Sequence, residues 1–411
     1  MKNFLFYIVI LLMAVTSPIS VTSPISYVLL FAGLLYSIKL EYALTLVFCS
    51  NIFFYRIPTG IPISPLFYIL PILNWGFFKY LQLKVKINPI HIFILVFFVL
   101  YIYISCYTSI TYSFDKMPMY LLSVLFIFAA CNCKNFDFDL FNKLLSTIII
   151  IAISYVFIKL LAFPVITETG RRALLYGQNI NVLARNIAYL SAACLALLHI
   201  YNNRWMFYFI ALSIGCILIT GSRTSFFAII IVAYICSIYF SGNKKTFIKK
   251  SIGYIVIVII CFLVIQISEY DRVTQITSDD ISNDIRFVTA ANLYNYAISK
   301  NLWTGIGLGN ENSYKILGYV LDSDNMYIDI LTQLGVLGLV IIMFVVIYTL
   351  NQIVKLDEKY KNYKNIYFPF ALILTNMSMS MTESIFDESF FYTSIALAYI
   401  YINSIKNGQI H

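Results

Sequence analysis

Arginines stand in several of the short polar stretches that interrupt an otherwise apolar chain. Four of them could do chemistry by their type and place: Arg171, Arg172, Arg223 and Arg286. A guanidinium group binds phosphate oxygens through two parallel N–H donors, whereas the lysine ammonium is a hydrated point charge. These arginines therefore predict recognition of a phosphate-bearing anion. For any single one of them, a charge that snorkels from a helix end to the membrane surface is the alternative.

The stretch around Arg223 gives the strongest of these signals. Arg223 begins a predicted helix, and Ser222 precedes it at the N-cap position. The unpaired N–H groups and the positive dipole end at a helix N-terminus favour an anion as well. Arg171 and Arg172 form a second candidate anion cradle with Asn181, although the same stretch is also typical of a turn with a capping Asn.

Acidic residues close the longest polar stretch of the chain. Residues 322–325 read Asp-Ser-Asp-Asn and predict the cap of the helix that follows. One capping residue would be enough, so the carboxylate of Asp324 is also a candidate general base. Gly335 and Gly338, further along this helix, predict close packing against a neighbouring helix.

The whole chain has the composition of a polytopic membrane protein with an all-α fold. It has 411 residues, of which 61% are hydrophobic and 11% charged, against about 25% charged residues in soluble domains. The net charge of +9 forms no basic stripe, which argues against a nucleic-acid partner. The eight cysteines lie mostly in apolar runs and only three histidines occur, so we expect neither a disulfide framework nor a metal site.

Apolar runs predict about 14 membrane spans, with a range of 11 to about 14 because the first four are short. The predicted spans lie near residues 4–18, 26–38, 41–55, 64–80, 89–110, 118–132, 143–163, 182–201, 205–220, 223–241, 251–268, 325–350, 365–382 and 387–403. We take the first run as a membrane helix rather than a signal peptide, because it has no small-residue cleavage site and further spans follow at once.

Placing both termini inside and alternating sides puts most lysines in the inside connections, as the positive-inside rule expects. The 28 basic residues divide into 17 inside, of which one is arginine, and 11 outside, of which seven are arginine. The chain thus divides into N-terminal helices at 1–163, central helices with arginine-bearing outer connections at 164–267, one large outer loop at 268–323, and C-terminal helices at 324–411.

The large outer loop contains a helical pattern of its own. The pattern runs from Asp279 or Asp280 to about Ser299, and its apolar residues Phe287, Ala291, Tyr294 and Ala297 or Ile298 recur on one face. We expect this helix to lie on the membrane surface or on the spans. The glycines at 305, 307 and 309 follow no strand and predict a flexible turn rather than a nucleotide-binding loop.

Four motifs stand in order along the chain. They are the arginine loop that ends in Gly177-x-x-x-Asn181, the Gly-Ser-Arg-Thr turn at Arg223, Arg286 followed by Asn301-Leu-Trp-Thr-Gly-Ile-Gly-Leu-Gly309, and Asp324-Asn325-x-Tyr327-x-x-x-Leu331-x-x-x-Gly335-x-x-Gly338. Together they resemble the O-antigen polymerase and ligase superfamily of bacterial envelope proteins. The resemblance covers residues 170–338. The flanking spans match only as generic membrane helices.

The resemblance implies glycan transfer from undecaprenyl pyrophosphate at the periplasmic face of the inner membrane, without a metal or other cofactor. It implies that Arg172, Arg223 and Arg286 hold the pyrophosphate and that a carboxylate, with Asp324 as the candidate, takes the proton of the acceptor hydroxyl. We add Arg171, Asn181, Asn325 and Tyr327 as candidate substrate-binding residues. Glu383 and Asp387 in the last outer turn are candidates to contact sugar hydroxyls or simply to solvate the turn.

The residue before Asn325 bears on the choice between the two activities of the superfamily. Ligases of the superfamily carry a His there, whereas this chain has Asp324. We therefore expect a polymerase, with a ligase that acts on lipid A core as the alternative. A flippase is a second alternative, but we find neither the internal repeats nor the mid-membrane charges of a transporter. The expected partners are the undecaprenyl-pyrophosphate-linked oligosaccharide and membrane lipid, with a chain-length regulator protein as a further candidate.

Overall fold

The structure is a computed structural model. It describes the backbone of residues 2–53, 55–59, 61–74, 89–108, 117–131, 133, 136–162, 166–167, 170–171, 180–201, 204–239, 252, 259, 285–307, 325–359, 367–381 and 389–406. Fourteen α-helices lie within these ranges, together with two 3₁₀ turns and one two-stranded antiparallel hairpin. The predicted all-α fold is therefore confirmed for the described part of the chain.

The helices follow the apolar runs of the sequence. Their bounds are α1 Lys2–Thr16, α2 Ile25–Ser37, α3 Leu40–Ile52, α4 Ile69–Leu73, α5 Pro89–Thr108, α6 Met117–Cys131, α7 Phe138–Ala162, α8 Ile180–Tyr201, α9 Arg204–Thr220, α10 Arg223–Tyr239, α11 Ile285–Asn301, α12 Met326–Lys359, α13 Tyr367–Ser380 and α14 Ser389–Lys406. The 3₁₀ turns are Ser17–Ile19 and Ser64–Tyr68, and the hairpin pairs β1 Ile166–Thr167 with β2 Gly170–Arg171.

Three described helices are long and apolar enough to cross a membrane: Phe138–Ala162, Asn181–Tyr201 and Met326–Leu356. Further apolar helices of 10–17 residues accompany them, which supports a membrane protein. The predicted span at 64–80 is described only in its first part, where the 3₁₀ turn and the five-residue α4 form the apolar helical stretch Ser64–Leu73. The predicted span at 251–268 lies almost wholly outside the described residues. The number of spans and the sidedness of the loops stay predictions.

The chain forms two compact units, each assembled from separated segments. The first contains residues 1–67, 136–275 and 364–378 and is built around α8. Ala184, Ala188 and Ala192 are fully buried on one face of α8, and such small residues let helix backbones approach closely. The Ser191 hydroxyl donates a hydrogen bond to Ser213 of α9 at 2.6 Å, and the Tyr189 hydroxyl donates one to Asn376. Polar side chains inside this unit thus hydrogen-bond across helices.

The second unit contains residues 68–135, 276–363 and 379–411. Its helix α14 packs against α6 and α12, and α11 packs along α12. The ring of Tyr68 stacks on Phe126 with centroids 4.1 Å apart, and its hydroxyl lies 2.8 Å from that of Thr393. This unit holds α11 and α12, which carry the last two of the four sequence motifs.

Candidate functional site

The structure places the predicted arginines at the ends of elements, where it describes their backbone but not their side chains. Arg171 ends the β2 strand and pairs with Ile166. Arg223 is the first residue of α10, and Arg286 is the second residue of α11. Arg172 lies outside the described residues, as do Asp324, Glu383 and Asp387. The roles given to these residues therefore stay predictions.

The turn before Arg223 has the predicted geometry of a helix start. Gly221 ends α9 with a φ of 68° in the left-handed region, and its N–H donates to the Leu218 carbonyl at 2.9 Å. Ser222 then occupies the N-cap position, where its carbonyl accepts the first helical hydrogen bond, from the Phe226 N–H at 3.3 Å. Its buried hydroxyl donates to that of Ser225. Arg223 is therefore the first residue of a helix, and the first N–H groups of that helix have no hydrogen-bond partner within it.

One buried arginine of the first compact unit lies outside the four sequence motifs. Arg185 lies one turn after Asn181 on α8 and is only 5% exposed. Asn181 and Arg185 share a face of this helix because they stand four residues apart. A charged residue buried in a membrane span is rare and is commonly functional. Arg185 is therefore a further candidate for binding the anion, and its place inside an apolar run was the signal that could have found it.

Asn325 caps α12, as the sequence predicted. Its side-chain carbonyl accepts hydrogen bonds from the backbone N–H groups of Tyr327 at 3.0 Å and Ile328 at 3.1 Å. Its side-chain amide donates to the Met381 carbonyl at 2.9 Å. Both ends of the Asn325 amide are thus engaged inside the protein, and they fix the start of α12 relative to the turn that leads to Glu383 and Asp387.

Tyr327 and its neighbour contact the same serine. The Tyr327 side chain, which is half-buried, hydrogen-bonds to that of Ser380. The Ser380 hydroxyl also donates to the Met326 sulfur at 3.2 Å, and Ser380 is only 1% exposed. The first turn of α12 is therefore held firmly, which would position any substrate contact that Tyr327 makes.

Gly335 breaks α12 nine residues after the helix begins. Its φ of 66° and ψ of −171° lie outside the helical region. Residues 302–307, which follow α11, fill the break with backbone hydrogen bonds on both sides. The N–H groups of Ile306 and Gly307 donate to the carbonyls of Thr332 and Gln333 at 2.9 and 3.0 Å, and the N–H groups of Val336 and Leu337 donate to those of Leu302 and Trp303 at 2.9 and 3.2 Å.

Two glycines make this close approach sterically possible. A methyl group at Gly335 would lie 2.3 Å from the Trp303 carbonyl oxygen, and one at Gly305 would lie 2.5 Å from the Gln333 carbonyl. Helix α5 also contacts the break. The Tyr101 hydroxyl donates to the Leu334 backbone carbonyl, and the Ser105 hydroxyl donates to the Gln333 backbone carbonyl at 3.5 Å. The sequence predicted close helix packing at Gly335 and a flexible turn at 305–309. In the structure, the backbones of Gly305 and Gly335 lie against each other.

The part of α12 before the break carries three polar side chains besides those of its cap. Asp329 and Thr332 are 5% and 3% exposed, and Gln333 stands beside them. The three share one face because they are spaced three and four residues apart. We call Asp329, Thr332 and Gln333 the polar face of α12. Its signal in the sequence was the repeat of polar residues at 325, 329 and 332 inside an otherwise apolar span.

Helix α11 is present as predicted, from Ile285 to Asn301, but it turns a different face to the protein. Its buried residues are Thr289, Ala290, Leu293 and Ala297, and this face packs on α12. Of the residues expected to share an apolar face, Ala297 is buried as expected, whereas Tyr294 and Ile298 are 41% and 42% exposed. Both faces are apolar, so the exposed one remains suited to lipid.

The described residues contain no group of three or more His, Cys, Asp or Glu side chains placed to hold a metal ion. The polar atoms that the described part of the chain does bring together are oxygens of the polar face and amides of the α12 cap. The oxygens among these groups accept hydrogen bonds from hydroxyl and amide donors, and the guanidinium groups of the arginines in the sequence motifs would bind an anion.

Comparison with known proteins gives one family match. The model of a family described as O-antigen ligase matches residues 207–343, about a third of the chain. The matched segment includes Arg223, Arg286, the Asp324-Asn325 pair and the break at Gly335. No curated protein matches the chain. The resemblance to the O-antigen polymerase and ligase superfamily is thereby confirmed over residues 207–343.

Proposed function

We propose that the protein polymerises oligosaccharide repeat units linked to undecaprenyl pyrophosphate, at the periplasmic face of the bacterial inner membrane. The family match supports a function of the O-antigen polymerase or ligase type, and the long apolar helices support a membrane protein. The observation that carries the choice of polymerase is Asp324, which stands where ligases of the superfamily have a His. The acceptor would then be a second lipid-linked repeat unit.

The reaction is a glycosyl transfer. A hydroxyl oxygen of the acceptor sugar attacks the anomeric carbon of the donor, and a new glycosidic bond forms. The bond from that carbon to the pyrophosphate oxygen breaks, and undecaprenyl pyrophosphate leaves with the electron pair. The carboxylate of Asp324 takes the hydroxyl proton. Guanidinium groups stabilise the charge that develops on the leaving pyrophosphate.

In this reaction the arginines bind the donor pyrophosphate and the remaining candidates contact the glycan. Arg223 and Arg286 act on the pyrophosphate in the transition state, and Arg171 and Arg172 bind it in the ground state. The residues assigned to glycan contacts are Asn181, Asn325, Tyr327, Glu383 and Asp387. Support comes from residue type: guanidinium groups suit phosphate, whereas amides, phenols and carboxylates suit sugar hydroxyls.

One observation favours the ligase as second candidate, namely that the matching family is described as O-antigen ligase. A ligase would use the same donor and the same leaving group, but it would transfer a finished chain to lipid A core. The two activities therefore predict the same donor arginines and differ only in the acceptor.

The variant Arg223→Ala separates the candidates when the lipopolysaccharide ladder and the lipid-linked pool are read together. If the protein is a polymerase, the variant leaves core carrying one repeat unit, because single units are still ligated. A ligase variant leaves bare core with long chains stranded on undecaprenyl pyrophosphate. A flippase variant traps single units on the cytoplasmic side. Removing a transition-state guanidinium should lower polymer yield by about 100-fold or more.

The matched control is Arg204→Ala. Arg204 is also the first residue of a helix, α9, and the charge pattern puts it on the opposite, cytoplasmic side. Its variant should keep a wild-type ladder at equal protein level. A wild-type ladder from Arg223→Ala would contradict the role given to Arg223, and equal loss in both variants would point to folding rather than catalysis.

A further inference from the structure

The polar face of α12 is buried in a way that helix geometry alone does not explain. Asp329 and Thr332 are 95% or more buried inside an apolar candidate span. Among the residues that the structure describes, the Thr332 hydroxyl and the Gln333 side-chain carbonyl are buried with no hydrogen-bond partner. Buried polar atoms of native proteins are nearly always hydrogen-bonded, so two such oxygens on adjacent residues, beside the Asp329 carboxylate, make this face a candidate ligand site.

A second threonine of the same helix shows what a purely structural hydroxyl does. Thr349 is fully buried, and its hydroxyl donates to the Val345 carbonyl four residues earlier at 2.6 Å. This back-bonding is the usual way for a threonine in a membrane helix to satisfy its hydroxyl. The Thr332 hydroxyl makes no such bond. The contrast lies between two threonines of one helix, before and after the break.

The break at Gly335 does not account for the unpaired side chains either. The backbone carbonyls of Thr332 and Gln333 accept hydrogen bonds from Ile306 and Gly307. The backbone carbonyls at the break therefore have hydrogen-bond partners. The Thr332 hydroxyl and the Gln333 side-chain carbonyl next to it have none among the described residues. Their partner is to be sought outside the backbone of the break.

The chemistry of this face selects the ligand class. A carboxylate and an amide carbonyl accept hydrogen bonds, and a threonine hydroxyl both accepts and donates. Residues 326–334 contain the Asp329 carboxylate and no Lys or Arg, so this stretch itself offers a pyrophosphate no cationic partner. It suits a group with several O–H donors, and in the reaction proposed above that group is the sugar of the acceptor repeat unit.

We propose that Asp329, Thr332 and Gln333 form the subsite that binds hydroxyl groups of the acceptor sugar. This inference rests on the proposed function and assigns to it a specificity-determining site on α12. Asn325 caps the same half-helix four residues before Asp329. Asp329 of the subsite therefore stands one turn of α12 after this cap residue.

The experiment uses the full-length protein with two single-purpose substrates. The donor is a lipid-pyrophosphate-linked repeat unit whose acceptor hydroxyl is methylated, so it can only donate. The acceptor is the same repeat unit as an alkyl glycoside without pyrophosphate, so it can only accept. Each turnover makes one alkyl-linked dimer, and KM is measured separately for each substrate.

The variants are Asp329→Asn and Thr332→Val, with Thr349→Val as the matched control. Loss of one neutral hydrogen bond should raise the acceptor KM about 3- to 10-fold in Thr332→Val, and loss of a charged partner should raise it about 10-fold or more in Asp329→Asn. The donor KM should stay unchanged in both. The Thr349→Val variant should keep both KM values.

Thermal unfolding distinguishes a binding role from a folding role. Replacing the unpaired Thr332 hydroxyl by a methyl group should leave Tm unchanged or raise it, so a higher acceptor KM cannot come from a damaged fold. An unchanged acceptor KM in both variants overturns the subsite. So does an acceptor KM of the wild type that depends on Na⁺, K⁺ or Mg²⁺ and loses this dependence in Thr332→Val, because the face would then bind a cation. A wild type that makes no dimer overturns the proposed function itself.

Discussion

At the scale of single residues, Asn325 shows how one side chain serves both a helix and the site around it. Its carbonyl caps α12 and its amide holds the carbonyl of Met381. The sequence predicted the cap because Asn and Asp before an apolar run are strong N-cap signals. It did not predict the contact to Met381, because the partner is a backbone carbonyl far along the chain and backbone carbonyls carry no sequence signal.

The variant Asn325→Ala should destabilise the protein through both lost contacts. The missing cap alone should cost about 1 kcal/mol of the free energy of unfolding, and loss of the bond to Met381 adds to it. The expected result is a lower Tm in thermal unfolding of the detergent-solubilised protein. The variant Asn325→Asp keeps the capping oxygen but loses the amide donor, so its Tm should fall between those of the wild type and Asn325→Ala. A Tm of Asn325→Ala equal to wild type would contradict the capping role.

At the scale of elements, α12 is a helix in two parts. Residues 302–307, which follow α11, supply backbone hydrogen-bond partners to the residues of α12 on both sides of the break. The break lies about 13 Å along the helix axis from Met326, since each residue adds about 1.5 Å. Backbone polar groups within a membrane span must be paired inside the protein. Residues 302–307 do this for α12, so part of the predicted outer loop hydrogen-bonds to a candidate span about nine residues after its first residue.

Sequence reasoning located α11 and α12 but not their relation, for a physical reason. Gly335 and Gly338 stand three residues apart on a predicted helix and were expected to allow close helix packing, and only the contact with residues 302–307, distant in sequence, makes Gly335 a break instead. The prediction of which face of α11 is buried was incomplete for a similar reason. Periodicity finds apolar faces, but it cannot tell which of two faces meets lipid and which meets protein, because both surroundings are apolar.

The variant Gly335→Ala tests the break. Its methyl group would lie 2.3 Å from the Trp303 oxygen, and a φ of 66° is unfavourable for alanine. We expect a strong loss of folded protein, measured as the monodisperse fraction in size-exclusion chromatography and as a Tm lower by several degrees. Gly215→Ala is the matched control, because nothing lies within 4 Å of a methyl group there and alanine favours the helix by up to about 1 kcal/mol. If Gly335→Ala behaves like Gly215→Ala, the break does not constrain the protein.

At the scale of the molecule, hydropathy predicted most of the helices, because a membrane span must be a long apolar run whose backbone is paired within the helix. Helices α7, α8 and α12, which are long and apolar enough to cross a membrane, overlap the predicted spans at 143–163, 182–201 and 325–350. Two compact units built from interleaved segments did not follow from the sequence, since every apolar run can pack against several others. The four-part division at 1–163, 164–267, 268–323 and 324–411 follows predicted sidedness instead and stays a prediction.

The central claim is polymerisation, and a reconstituted reaction tests it most directly. The purified protein in proteoliposomes receives undecaprenyl-pyrophosphate-linked repeat units as its only glycan, and the products are resolved by mass spectrometry. We predict chains of two or more repeats that remain on lipid pyrophosphate, with one free undecaprenyl pyrophosphate released for each new linkage. The contrary result is no elongation of these units, together with transfer of a preformed chain once lipid A core is added. That result would identify a ligase.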